Sequence, residues 1–244
     1  MIARSMVRYG RYAGLLLLIS ALGLLAQAPP LQPNRPQHPA VPTVTFTFDW
    51  PSIEPHHFVI QVDSSGNAAY ESWMGAPSDG QPSAGEPYML KFTASAAARD
   101  RIFSVARRLG YFNGDFEYRK HRVAASGTKT LAYADPNKQY ETRYNWSENP
   151  GIQQLTALFD GISTTIEAGR RLQHLHRYDR LGLDDELKNL EQLAASHSAT
   201  ELQVIAPVLR EIADDNGAMH IARQRAEHLL QVAVAPAQTA ATRP

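Results

Sequence analysis

Hydrophobic periodicity changes once along this chain, from two residues to about 3.6, and that change limits the folds open to it. From Thr43 to about Trp146 the pattern is that of strands. Val44, Phe46 and Phe48 alternate with Thr45, Thr47 and Asp49, and Phe58, Ile60 and Val62 alternate with Val59, Gln61 and Asp63. Ser64-Ser65-Gly66-Asn67 is a turn, so Ala68 to Met74 returns as the partner strand. Gly75 to Pro87 is rich in Gly, Pro and Ser and reads as a loop. Tyr88 to Phe92 is a further strand, and Lys129 to Tyr133 with Gln139 to Trp146 form a second hairpin around Asp135-Pro136-Asn137-Lys138. Between them Ser95 starts a helix. Ile102, Val105, Ala106 and Leu109 fall at helical spacing and Gly110 supplies the stop. Tyr111, Phe112 and Phe116 are expected to seal that helix against the sheet rather than to bind a ligand.

From Asn149 the pattern is helical. Asn149 suits an N-cap and Pro150 the first helical position. Ile152, Leu155, Phe159, Ile162, Ile166, Leu172 and Leu175 form one apolar stripe, interrupted at Gly169, where another backbone is expected to cross closely. Gly182 ends this segment. Asp184 is read as the cap of the next helix, with Leu187, Leu190 and Leu193 inward. Ser198 with Glu201 reads as a capping box for a third helix, kinked by Pro207 and broken at Asn216-Gly217. Ala222, Ala226 and Leu229 organise the last. These patterns predict an α+β fold: an antiparallel sheet of about six strands over residues 43–148, packed on helices, followed by a C-terminal helical bundle over 149–234. The long apolar stripe implies that the two parts share a core.

The chain contains no cysteine, which excludes disulfides, thiolate catalysis and cysteine metal sites. Its beginning reads as an export signal. Arg4, Arg8 and Arg11 precede the apolar run Ala13 to Ala26, and Ala26-Gln27-Ala28 offers small residues at a cleavage site. Residues 1–28 are therefore expected to be a signal peptide, or an N-terminal anchor if Pro29 blocks cleavage. Pro29 to Pro42 carries six prolines and reads as an extended spacer, and 235–244 as a disordered tail. The expected location is the periplasm or the cell exterior, with membrane contact only if the leader is retained. Without the three leader arginines, 21 basic residues face 24 acidic ones, a net of −3. That balance disfavours nonspecific binding to nucleic acid.

No residue pattern implies a cofactor. Ser126-Gly127-Thr128-Lys129 matches the S-x-x-K nucleophile motif, but that mechanism needs serine and lysine on one helical turn, and here they open a strand, so a turn is expected. His174-Leu175-His176 with Asp179 is the best metal or acid–base candidate. On a helix the two imidazoles diverge, however, and His174 groups with Arg170 and Arg177 near a helix C-terminus, so no metal is assigned. Asn145-Trp146-Ser147 fits a glycosylation sequon. Arg119-Lys120-His121-Arg122 is the densest basic run. It is a candidate surface for an anionic polymer, or otherwise a solvated edge strand blunted by its charges.

Two stretches carry resemblances. IAPVLREIADDNGAMHIARQRAEHLL, with Pro207, Asp214, Asp215, Arg223 and Ala226 at the favoured positions, resembles a HEAT-type helical hairpin. That likeness implies a protein-binding surface. FVIQVDSSGNAAYESW is similar to a small β domain of unknown function found in exported bacterial proteins. Neither resemblance implies catalytic residues. The expected function is a non-catalytic binding or structural role in the cell envelope, with an envelope protein or anionic polymer as partner. The alternative is an envelope hydrolase using His121, His174, His176 and Asp179 between sheet and helices.

Overall fold

The computed structural model describes residues 39–74 and 87–234. The leader, most of the proline-rich spacer, nearly all of the predicted loop over 75–87 and the tail lie outside the described residues. The fold is α+β. Six antiparallel strands, β1 (Thr43–Asp49), β2 (His57–Asp63), β3 (Asn67–Trp73), β4 (Tyr88–Thr93), β5 (Thr128–Ala134) and β6 (Gln139–Tyr144), form one sheet in the order β4-β3-β2-β1-β5-β6. Both predicted hairpins are present. Asp63 closes the first by accepting from the backbone N–H groups of Ser65 and Asn67, and Asp135 does the same for Asn137 and Lys138 in the second.

Register brings Phe46 beside Ile60 and Leu131, and Phe48 beside Phe58 and Lys129, on the inner face. Their neighbours Thr45, Thr47 and Gln61 fall on the opposite face. Helix α1 (Ala96–Arg108) packs Ala98, Ile102, Val105 and Ala106 into the core. Phe112 is fully buried behind it, while Tyr111 lies with its ring centroid 4.5 Å from that of Tyr133.

Helix α2 (Pro150–Tyr178) crosses the inner face obliquely, as its contacts show in chain order. Thr156 meets Tyr144 on β6, Phe159 stacks on Phe46 of β1 at 5.0 Å, Ser163 and Glu167 bond Tyr70 on β3, and Arg170 lies over the Tyr88 ring on β4. Asn149 caps it as its position predicts, accepting from the N–H groups of Gly151 and Ile152. One hydrophobic cluster gathers the sheet, α1 and α2 as far as Ile166. A second starts at Ala168 and takes in α3 (Leu183–Ala195), α4 (Ala206–Asp214) and α5 (His220–Val234), so α2 is common to both. No helix among the described residues is long and apolar enough to cross a membrane.

Four local expectations are corrected. Asp184 lies inside the first turn of α3, whose N-cap is Gly182. Ser198 and Glu201 form no capping box. Glu201 adopts a left-handed conformation (φ 59°) and sends its carboxylate to α1, accepting from the Ser95 N–H at 2.6 Å and the Ser95 hydroxyl at 2.7 Å. Pro207 does not kink a helix: Leu202–Ile205 is a 3-10 turn, and Pro207 sits in the first turn of α4, where its missing N–H costs nothing. At Gly169 the close neighbour is a side chain, since a Cβ there would strike the Ile205 methyl group. Backbone does reach α2 eight residues earlier, where the Thr200 N–H donates to the Gly161 carbonyl at 3.2 Å.

Candidate functional site

The oblique path of α2 leaves part of the inner face open. β1 ends, β2 and β5 begin, and β6 ends beside it, and a cleft of about 660 Å³ lies between these strand ends and α2. Its walls are apolar. Phe48 and Phe58 face inward from the strands, Trp50 and Ile53 come from the β1–β2 connection, and Trp146 follows β6. Its floor is polar. Thr156, Asp160, Ser163, Thr164, Glu167 and Arg171 project from one side of α2, and Ser126, Lys129 and Asn145 close the end. A concave, mostly apolar site with a few convergent polar groups is the form ligand pockets take.

The end wall depends on Gly127. Its φ is +84°, and a Cβ would lie 2.8 Å from both Phe48 and Trp50, so no other residue fits without moving an aromatic wall. The lead into β5 aims Lys129 inward. Its buried ammonium donates to the Ser126 carbonyl at 2.8 Å, the Asn145 carbonyl at 3.0 Å and the Ser126 hydroxyl at 3.2 Å, and lies 5.3 Å from the Phe48 ring centre. Asn145 completes the lattice, accepting from the Ser126 N–H at 2.7 Å and donating to the Ala124 carbonyl at 3.0 Å. Burial pushes the Lys129 pKa below its usual value, opposed by the charges of Asp160 and Glu117.

Ser126 and Lys129 thus touch, but in an extended lead into β5 rather than the expected turn, and with the amine already engaged. An ammonium has three N–H groups, and here three carbonyls, of Ser126, Asn145 and (at 3.4 Å) Gly127, and one hydroxyl share them. Carbonyl acceptors hold the proton on the amine, whereas a general base must be free to accept one. The pair ties the start of β5 to the end of β6.

Asp160 differs from every other charged group in the cleft. It is half-buried, and no hydrogen bond reaches its carboxylate among the described residues. Burial raises its pKa to about 6, against a smaller opposing pull from Lys129. Glu167, two turns on, is fully engaged: Tyr70 donates to it at 2.9 Å, Ser72 at 2.7 Å and Arg170 at 3.2 Å. Arg171 pairs with Glu186 of α3 at 2.9 Å. No family model matches this chain, and neither does any curated protein. Its function is therefore read from the site alone.

None of His121, His174, His176 and Asp179 lines the cleft, and they are not brought together. His174 is exposed and packs on Tyr178, with ring centres 5.0 Å apart. His176 turns away to Asp215 at 2.9 Å, where Arg180 also binds at 3.2 Å. Asp179 is the C-cap of α2. His121 lies near Tyr118 in an irregular segment. Among the described residues no three His, Asp or Glu side chains gather as a metal site.

The basic run is not an edge strand. Residues 117–127 contain no strand, and β6 is the sheet edge on that side. Arg119 pairs with Asp115 at 2.9 Å and Lys120 with Glu148 at 2.7 Å, so acidic neighbours already offset two of its charges, while Arg122 stays exposed.

Lys129 and Asp160 did not stand out as site residues in the sequence. Their signals are present: Lys129 occupies the inward phase of β5 with Leu131 and Tyr133, and Thr156, Asp160, Ser163 and Glu167 recur at spacings of four, three and four.

Proposed function

We propose that this chain is an exported cell-envelope protein that binds a small, largely apolar ligand in the cleft between the sheet and α2, without transforming it. The observation that carries the reading is the cleft itself, about 660 Å³ walled by Phe48, Trp50, Phe58 and Trp146 above a polar floor. That volume suits a small organic molecule, and aromatic walls give contact area at low entropic cost. The export half of the reading rests on the basic and apolar pattern of residues 1–28 and on the proline-rich stretch behind it.

The hydrolase alternative needs His121, His174, His176 and Asp179 assembled between sheet and helices. These residues lie apart from one another and off the cleft, while the amine beside Ser126 is already engaged. An anionic polymer at Arg119–Arg122 would compete with Asp115 and Glu148 for the same cations.

Cell fractionation with N-terminal sequencing of the recovered protein tests export; intact chain dissolved in the cytosol overturns it. For binding, the protein is isolated from envelope fractions and extracted with organic solvent for mass spectrometry. A stoichiometric small molecule that a Trp50→Ala, Trp146→Ala double variant no longer retains supports the reading. Turnover in a hydrolase panel that is lost in His174→Ala or His176→Ala sinks it in favour of the enzyme.

A further inference from the structure

We propose that the ligand is an amphipathic amine, whose apolar body lies among the aromatic walls and whose ammonium seats on the Asp160 carboxylate. This rests on the reading of the cleft as a binding site and names its chemical class. The argument follows the hydrogen bonds left unmade. Tyr144 and Thr156 bond each other at 2.7 Å, Ser163 meets Tyr70 at 3.1 Å, and Gln153 donates to the Ser147 carbonyl at 2.9 Å. Lys129, Asn145 and Glu167 are engaged as described. The lining groups with no hydrogen bond among the described residues are the carboxylates of Asp160 and of Glu54 at the exposed rim, the hydroxyl of Thr164 one turn beyond Asp160, and the indole N–H groups of Trp50 and Trp146. Of the unbonded groups Asp160 is the one that is both charged and half-buried. Buried polar groups find partners, so an occupant that reaches Asp160 must bring a donor to it.

Charge selects among donors. The two cations of the lining have partners, Lys129 in four oxygens and Arg171 in Glu186, whereas Asp160 has no donor among the described residues. An incoming carboxylate seated on this part of α2 would meet the charges of Asp160 and Glu167. An incoming ammonium meets an unpaired carboxylate and the faces of Trp50 and Trp146, which attract cations.

The test uses the purified full chain and three probes with one body: 4-phenylbutylamine, 4-phenylbutanol and 4-phenylbutanoate. Tryptophan fluorescence reports binding, since Trp50 and Trp146 line the cleft. A charge-assisted contact in a half-buried site predicts roughly tenfold to a hundredfold tighter binding of the amine than of the alcohol at neutral pH, with the carboxylate weakest. Asp160→Asn should erase the preference for the amine over the alcohol. Equal binding of all three probes, or an amine affinity indifferent to Asp160→Asn, overturns the amine assignment while the cleft remains a binding site. Failure of all three to bind removes the cleft reading and the assignment together.

Discussion

An acceptor held without a donor should weaken the fold that holds it, and Asp160 makes that measurable. Burial lifts its pKa from 3.8 to about 6, a shift of about two units or ~3 kcal/mol at about 1.4 kcal/mol per unit. The cleft opens to solvent, and screening there reduces the expected effect to roughly 1.5–3 kcal/mol. The folded protein holds this proton more tightly than the unfolded chain does. Its contribution to stability is thus complete below about pH 4 and lost as pH rises through 4 to 6, after which ionised Asp160 is a net cost. Asp160→Asn keeps the shape and removes the titration. Urea unfolding of both proteins between about pH 4 and pH 8 isolates the effect, because other groups cancel in the difference. The variant should gain roughly 1.5–3 kcal/mol over the parent across that range, with the rise centred near pH 5 and flat above pH 7. The groups that interact with Asp160 are Lys129 on β5 and Tyr144 on β6, and Glu54, Glu167 and Arg171 line the same cleft. Lys129 works against the rise, because the variant leaves its charge less compensated, and Arg171, paired with Glu186, acts in the same direction more weakly. A difference that does not change with pH, or one that falls, refutes the argument that this carboxylate is stored without a partner.

Three further outcomes follow from the geometry. Gly127→Ala should destabilise the fold by about 2–4 kcal/mol in thermal or urea unfolding, because strain at positive φ adds to collision with Phe48 and Trp50. Its tryptophan emission should shift as well, since Trp50 must move. Phe159→Ala should cost about 3–5 kcal/mol, because it empties the stack on Phe46 at the centre of the larger core. Ser95→Ala and Glu201→Gln should each cost about 1–2 kcal/mol, and the double variant clearly less than the sum, since both act on one cap; full additivity in that cycle would show that the contact contributes nothing.

The sheet was legible because burial on one face imposes a strict period. Val44, Phe46 and Phe48 could not slip by one residue without turning the core outward, and the structure keeps them in that phase. The long helix was legible through Ile152, Leu155, Phe159, Ile162 and Ile166, and through its Asn149-Pro150 start. What escaped was set by distant partners. Ser198 and Glu201 carry the right spacing for a local cap, yet Glu201 serves a helix 106 residues earlier, and no short-range pattern encodes that competition. Asp160 escaped because α2 lies over packed core and open cleft at once, so one helical face mixes Phe159 with a carboxylate and blurs the amphipathic pattern. Lys129 looked like part of a turn because its neighbours Ser126 and Gly127 are turn residues, although its phase with Leu131 pointed inward. The histidines looked promising by proximity in sequence, but a helix sends neighbours at a separation of two to opposite sides.

The reach of Glu201 to Ser95 also dictates when this polypeptide can finish folding. A nascent chain emerging from its N-terminus makes α1 early, yet the carboxylate that holds its N-cap residue Ser95 arrives only after more than a hundred further residues. A fragment arrested before residue 200 leaves Ser95, which caps α1 through the Ala98 N–H, without its carboxylate partner, and leaves α2 bare along Gly161, Thr165 and Gly169. The segment around residues 200–205 thus acts as a latch that joins α1 to α2.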